Sequence, residues 1–254
     1  MKQVLNGDLV SLSVIAISFF ATLVRSTFGF GESLVAVPLF VLFIPLNIAV
    51  PLSVLISILV AAIVVVQDHR QIHIQSAKWL ILYAFLGIPI GLMILIYGKA
   101  YWVKIGLGAL IIGYSVYTLL ANGKRTLGHD SHAWLFACGF LSGILGGAYG
   151  LNGPPLVVYG NMRKWSPQHF RATLQAYFLP ASLVGVAGYA LKGLLDWDVF
   201  RYFIMCLPVV VPTVFLGRRI NRKLHGAAFF KYLYGGLIFI GVVLIFFTVF
   251  GGKI

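Results

Sequence analysis

Apolar residues run along this chain in long blocks that polar residues interrupt only briefly. A helix needs about 20 apolar residues to cross a bilayer. Two blocks, 9–28 and 133–149, each end in a glycine-rich break and continue as a short apolar stretch, at about 33–44 and 154–161. Such short stretches suit re-entrant helices that are buried in protein or line a cavity. The other long blocks predict full transmembrane spans at about 47–66, 79–97, 103–121, 172–191, 200–217 and 232–250.

The order of these blocks indicates two copies of one unit, a glycine-broken helical hairpin followed by three spans. Placing Gly29 on Gly150 superposes the two breaks, and small offsets then align Pro89 with Pro212. A hairpin returns to the side it left, so three further spans leave the second unit inverted relative to the first. The predicted fold is an all-α polytopic membrane protein with a first repeat at 1–121 (hairpin 9–44), a cytoplasmic linker at 122–131 and a second repeat at 132–254 (hairpin 133–161).

Composition excludes a soluble domain. Of the 254 residues, 60% are hydrophobic and 10% are charged, whereas soluble domains carry about 25% charged residues. The mean hydropathy is +0.98. The formal net charge of +13 would suggest nucleic acid as the partner of a soluble protein. In a membrane protein it reflects the positive-inside bias, so we expect the lipid bilayer and no nucleic acid as partner.

The distribution of basic residues predicts the orientation. Twelve of the 19 lysines and arginines lie in the loops around 68–78, 121–132, 163–171 and 218–231, and six lie in the other loops and at the termini. Loops rich in lysine and arginine face the cytoplasm. Both termini are therefore predicted to lie outside it, and Arg25 alone is left within a segment.

Two charged residues are predicted within the bilayer. Glu32, the one glutamate of the chain, lies at the first glycine break, and Arg25 lies seven residues earlier. Charged groups at this depth cost about 2.5–3.5 kcal/mol on insertion scales and persist when they are paired or functional. Two interpretations remain open: the pair only locks the hairpin, or Arg25 attracts an anion while Glu32 takes part in coupling or gating.

The two breaks are candidate anion sites because each precedes a short helix. The first N–H groups of a helix have no intrahelical partner and, with the helix dipole, bind anions. Polar side chains on the spans after each hairpin add donors, although an interhelical hydrogen bond is an equally simple role for each. The predicted substrate-binding residues are Arg25, Gly29, Gly31, Ser33, Gly150, Asn152, Gly153, Ser53, Thr173 and Gln175, with Glu32 as the coupling or gating residue.

Catalytic motifs and cofactor sites are not predicted. The chain has no GxSxG elbow and no P-loop, which argues against a hydrolase or a phosphotransferase. Histidines and aspartates in two loops, at 68–73 and 129–132, suggest a metal site, but short polar loops are where such residues ordinarily lie. A membrane-embedded metalloenzyme therefore stays as an alternative of low weight.

Two glycine-rich motifs carry a family resemblance. The first is FGFG at 28–31 with LVAVP at 34–38, and the second is FLSGILGGAYG at 140–150 with PPLVV at 154–158. This pair resembles the motifs of the TauE/SafE sulfite exporter family, and the similarity extends over essentially the whole chain. The resemblance implies transport of small sulfur-containing anions, such as sulfite, sulfoacetate or related organosulfonates, across the bacterial inner membrane.

The residues and the resemblance lead to the same expected function. Inverted repeats with broken helices are common in secondary transporters, whose substrate site lies where the breaks meet. We therefore expect an anion transporter that works by alternating access and is coupled to protons through Glu32. A passive anion channel on the same scaffold and a non-transporting partner subunit remain alternatives, and the sequence leaves substrate, direction and oligomeric state open.

Overall fold

The computed structural model describes residues 2–120, 127–165, 167–221 and 227–250. Within these ranges the chain is helical and contains no strand. Seven of the described helices are long and apolar enough to cross a membrane, which confirms an all-α, multi-pass membrane protein. The helices are α1 (Lys2–Phe28), α2 (Glu32–Phe40), α3 (Leu46–Asp68), α4 (Ile74–Tyr97), α5 (Ala100–Leu120), α6 (His132–Tyr149), α7 (Gly153–Met162), α8 (Pro167–Leu191), α9 (Trp197–Asn221) and α10 (Ala227–Phe250).

Eight of the ten predicted blocks lie within these helices, whereas 33–44 runs past the end of α2 and 103–121 ends in a residue outside the described ones. The short helices begin at Glu32 and Gly153, one residue before the predicted Ser33 and Pro154. Helix α2 also ends at Phe40, because the chain turns over 41–44 before Pro45 opens α3. Residues 121–126, which include the start of the predicted linker, lie outside the described residues. The division into two inverted repeats stays a prediction.

Glycines with a left-handed backbone produce both breaks. Gly31 precedes α2 with φ 95°, and Gly150 follows α6 with φ 69°. Side chains other than glycine rarely tolerate these angles, so both helical runs end sharply. The Gly150 N–H still donates to the Gly146 carbonyl at 2.9 Å, and the Leu151 N–H donates to the Leu145 carbonyl at 3.1 Å.

The second hairpin returns to the side of the bundle from which it starts. The Leu127 N–H, just before α6, donates to the carbonyl of Met162 at the end of α7 at 2.8 Å. The Arg163 side chain also donates to the Leu127 carbonyl at 3.1 Å and to the Gly128 carbonyl at 2.8 Å. Helices α6 and α7 therefore bring the second break into the bundle and take the chain back out on the same side.

Close helix packing relies on small residues. Gly139, Gly143 and Gly147 of α6 follow one another at intervals of four and lie against Leu80, Ala84 and Ile88 of α4. The two helices therefore run parallel, in a small-xxx-small contact of the kind that lets membrane helices approach closely. Helices α1 and α9 also run parallel, since Ser18 contacts Cys206 and Ser26 contacts Gly217. The ends of α1 and α6, where the breaks begin, are thus each supported by a long span.

Candidate functional site

A buried arginine lies at the centre of the molecule, near the end of α1. Arg25 is 3% exposed, and its Nη1 donates to Glu32 Oε2 at 2.6 Å and to Ser57 Oγ at 2.5 Å. Its Nε and Nη2 donate to Gln175 Oε1 at 3.3 and 2.8 Å. The Phe178 ring covers the guanidinium, with 4.8 Å from Cζ to the ring centroid. Side chains from α2, α3 and α8 therefore fix one cation at the first break.

Gln175 connects this arginine to the backbone of the break. Its Oε1 accepts from Arg25, and its Nε2 donates to the Gly29 carbonyl at 2.7 Å. Gly29 itself has φ 84°, and a Cβ added there would lie 3.0 Å from the Cα of Arg171 on α8. The end of α1 and the start of α8 are thus in direct backbone contact beside the Arg25 cluster.

The two breaks meet at one cavity. Its lining comes from Arg25, from the first break and the start of α2, from the second break, and from two further side chains on α3 and α8. The space open to the centre of a water molecule is about 20 Å³, and a single water needs roughly 10–15 Å³. The site therefore has room for about one water molecule in this conformation. The lining residues are Arg25, Phe30, Gly31, Glu32, Ser33, Leu34, Ser57, Gly150, Leu151, Asn152, Gly153 and Phe178.

Two buried acceptor oxygens at this cavity have no hydrogen-bond partner. Glu32 Oε2 is held by Arg25, but Glu32 Oε1 is unpaired, and so is Asn152 Oδ1. Glu32 is 2% exposed and Asn152 is 6% exposed. An unsatisfied buried polar group costs about 1–3 kcal/mol. The unpaired Glu32 oxygen therefore marks a place for a hydrogen-bond donor, whereas Asn152 Oδ1 packs against Gly146.

The second break is positioned by a chain of hydroxyl groups. Tyr177 on α8 donates to Ser142 Oγ at 2.8 Å, and Ser142 donates to the Asn152 carbonyl at 2.5 Å. A Cβ at Gly146 would overlap the Asn152 side chain. The residue at 146 must therefore be glycine for Asn152 to keep this orientation beside the cavity.

The structure brings most of the predicted site residues together. Six of the ten predicted binding residues line the cavity, as does Glu32. Gly29, Ser53 and Gln175 lie one contact behind the lining, and the Ser53 hydroxyl donates to Ser33 Oγ at 3.0 Å. Thr173 lies apart, since its Oγ1 accepts from the backbone N–H of His73 at 2.9 Å. The six lining residues are Arg25, Gly31, Ser33, Gly150, Asn152 and Gly153.

Two residues that touch Arg25 are not among the ten predicted binding residues. Ser57 lies one turn after Ser53 on the same face of α3, so helical spacing gives a signal for it. Phe178 follows Gln175 by three residues and lies on the same face of α8. An isolated phenylalanine in an apolar span gives no comparable signal, because only the fold places it over the guanidinium.

Asp130, from the second of the two loops that contain histidine and aspartate, belongs to a structural cluster. Asp130 accepts from Ser76 at 2.8 Å and from Tyr159 at 2.7 Å, and pairs with Arg163 at 2.9 Å. Partial burial raises the pKa of Asp130, but these hydrogen bonds and the Arg163 charge outweigh it and hold the pKa below its ordinary value. Among the described residues, no group of three or more histidine, cysteine, aspartate or glutamate side chains is arranged to hold a metal ion.

Fold and site together define a helical multi-pass membrane protein whose two glycine breaks meet at a buried polar pocket lined by Arg25 and Glu32. Comparison with known families agrees with this class. The family model described as sulfite exporter TauE/SafE matches residues 14–244. The chain therefore belongs to the TauE/SafE sulfite exporter family, as the sequence motifs predicted.

A curated relative from Cupriavidus necator is described as a probable sulfite/organosulfonate exporter TauE. It is 28% identical to this chain over 160 residues. The match covers 62% of the chain and 62% of the relative, so it spans less than two thirds of either protein. No solved structure matches the chain.

Proposed function

We propose that this protein is a secondary transporter of small sulfur-containing anions, such as sulfite, sulfoacetate or related organosulfonates. The observation that carries the proposal is the cavity where the two glycine breaks meet, with the Arg25 cation in its lining. Family membership supports a transporter, and the name of the C. necator relative supports this substrate class. The protein is accordingly proposed to be a carrier and not an enzyme.

The proposed substrate contacts combine one side-chain cation with backbone donors. Arg25 offers charge and planar hydrogen bonding, which suits oxyanions. The first turn of α2 and Gly153 of α7 line the same cavity, where the dipoles of both helices favour negative charge. Because Pro154 and Pro155 have no N–H, α7 contributes only the N–H of Gly153 at this end. Asn152 and Ser57 add an amide and a hydroxyl donor. These groups together offer enough hydrogen-bond donors for the three oxygens of a sulfite or sulfonate group.

Alternating access is the proposed mechanism. A cavity with room for about one water cannot conduct an anion without a rearrangement, which favours a carrier over an open channel. In the proposed repeats, α6 is the counterpart of α1 and α9 is the counterpart of α4. The parallel pair α4–α6 in one arrangement then corresponds to the parallel pair α9–α1 in the other, which supports the proposed inverted repeats. We place the protein in the bacterial inner membrane with both termini periplasmic. Glu32 is the proposed coupling residue, and protons are the proposed coupling ion.

Flux measurements in liposomes test the function. Purified protein is reconstituted, and uptake of sulfite, sulfoacetate and isethionate is compared with protein-free liposomes. Wild type is expected to carry at least one of these anions. A pH gradient with the acidic side outside is expected to drive accumulation above the external concentration. Downhill flux that never becomes concentrative would favour the channel, and the absence of any flux would reject the proposed function.

Arg25 variants test the site. R25A and N152A are expected to lower the apparent affinity at least about tenfold, equivalent to about 1.4 kcal/mol. R70A removes the same charge from an exposed loop and is expected to transport like wild type. Because R25A leaves Glu32 buried without its partner, which costs about 3–5 kcal/mol, R25Q provides a less disruptive variant. Unchanged affinity in the R25Q and N152A variants would contradict a site at the breaks.

A further inference from the structure

The described charged side chains that line the cavity cancel each other. Helix α1 contributes Arg25, and α2 contributes Glu32, paired at 2.6 Å with side chains 3% and 1% exposed. The remaining elements around Glu32 contribute Ser57 from α3, Asn152 from the second break and Phe178 from α8, none of which titrates. The site is therefore electrically neutral before any substrate enters.

Glu32 occupies the position that suits an anionic substrate. Its carboxylate is bound to Arg25, and the residue lies in the first turn of α2, where the helix dipole favours negative charge. A substrate oxyanion needs the same cation and the same N-terminus. Substrate and Glu32 carboxylate therefore compete for Arg25, and a bound anion leaves one negative charge without a partner.

The free oxygen of Glu32 shows how that charge can be neutralised. Oε1 is buried, belongs to a residue that lines the cavity, and has no hydrogen-bond partner. Protonation at Oε1 removes the carboxylate charge and converts an unpaired acceptor into a donor toward the substrate. Without this proton, the membrane interior would hold a net negative charge, at a cost of several kcal/mol.

We propose that a substrate anion with one negative charge is carried together with one proton, held on Glu32, so that transport is electroneutral. The inference rests on the proposed function and deepens it. In the substrate-free site Arg25 is paired with ionised Glu32. In the loaded site Arg25 is paired with the anion, and Glu32 is neutral. On release, the anion and the proton leave on the same side, and the Arg25–Glu32 pair forms again.

Electroneutral transport has a quantitative consequence. A membrane potential of 100 mV acts on one elementary charge with about 2.3 kcal/mol, which corresponds to about 50-fold in the accumulation ratio at equilibrium. That factor is absent when anion and proton move together. The direction of net transport then follows the combined gradients of the anion and the proton, and the potential has no influence.

The test uses full-length protein in liposomes with sulfite as the probe. External pH is kept mildly acidic and constant, so the ionisation of external sulfite does not change. In one arm, valinomycin and potassium gradients impose potentials of either sign at equal pH. In the other, the internal pH alone is raised while the potential is clamped to zero. Protein-free liposomes report passive leak in both arms.

Wild-type uptake is expected to be unchanged by the potential and increased by the alkaline interior. E32Q cannot take up a proton, so its uptake is expected to respond to the potential and to lose the response to internal pH. E32D keeps a carboxyl group and is expected to keep the wild-type coupling at a lower rate. These opposite responses distinguish proton carriage from a merely structural role of Glu32.

Two results would overturn the inference: wild-type sulfite uptake that follows the imposed potential, or E32Q uptake that keeps the wild-type response to internal pH. If E32Q does not fold, the wild-type potential measurement alone decides. A wild-type protein that carries sulfite with the wrong coupling rejects only this inference. A wild-type protein that carries neither sulfite nor the organosulfonates rejects the proposed function itself.

Discussion

At the scale of single residues, the site depends on how one buried guanidinium is satisfied. Arg25 has four hydrogen bonds to three side chains and one aromatic face. Glu32 is the charged partner, whereas Ser57 and Gln175 are neutral. The neutral partners hold the guanidinium in place without cancelling its charge. This division leaves Arg25 available to a second anion when Glu32 withdraws.

The variant Q175E tests this division at nearly constant shape. A carboxylate at 175 keeps the acceptor for Arg25 and adds a permanent competitor for its charge, and it also removes the Nε2 donor to the Gly29 carbonyl. We expect at least about tenfold weaker sulfite binding, since truncating or neutralising a buried charged contact costs about 2–5 kcal/mol. Binding is measured from the substrate-dependent shift in thermal unfolding. Q75E makes the same change at an exposed position of α4 and is the control, and equal affinities in the two variants would contradict the assignment.

At the scale of elements, the breaks depend on the helices that support them. Helix α6 ends at the second break, and its three glycines pack along α4. Close packing of this kind leaves no room for a Cβ, so it fixes where Gly150 and Asn152 lie relative to the first break. The α4–α6 contact is thus a structural requirement of the site, although none of the residues that form this contact lines the cavity.

The variant G139A tests the packing. A Cβ at Gly139 would lie 2.7 Å from the Leu80 carbonyl oxygen and 3.0 Å from Tyr83 Cβ. Overpacking of this kind costs about 1–3 kcal/mol, so the unfolding midpoint in detergent should fall. The matched control is G113A on α5, where no heavy atom lies within 4 Å, and its midpoint should not fall. Equal midpoints for the two variants would show that the helices relax without cost.

At the scale of the whole molecule, side-chain contacts show which helix ends share a face. Asp68 at the end of α3 pairs with Arg218 near the end of α9 at 3.0 Å and lies 3.9 Å from Arg171 near the start of α8. At the other face, Lys192 after α8 lies over the ring of Tyr97 at the end of α4, at 6.0 Å. Helices α3 and α8 therefore run in opposite directions, as the proposed inverted repeats require.

Cysteine labelling tests the proposed orientation in the membrane. K99C and K192C should react with a membrane-impermeant maleimide added to intact cells, because both positions are exposed and belong to the predicted periplasmic face. R70C and H129C should react only after permeabilisation. The native cysteines are buried, so wild type gives the background. A reversal of all four results would contradict only the orientation, whereas K99C and K192C on opposite sides would contradict the arrangement of the helices.

Much of this architecture could be predicted from the sequence, because the bilayer imposes simple length and charge rules. Long apolar blocks predicted the spans, and glycine-rich breaks before short helices predicted the hairpins. The rarity of charge in the apolar segments singled out Arg25 and Glu32. The sequence also indicated that Gly31 and Gly150 allow unusual backbone angles, since glycine tolerates a left-handed backbone wherever it occurs.

Only the tertiary structure decided which groups face one another. Asn152 and Glu32 are 120 positions apart in sequence, yet both line one cavity, because helices from both halves cross there. Ser57 and Phe178 contact Arg25, whereas Thr173, two residues from Gln175, faces away toward His73. A span of uniform hydropathy does not reveal which of its faces meets a partner. That choice depends on helix rotation and packing, which contacts distant along the chain determine.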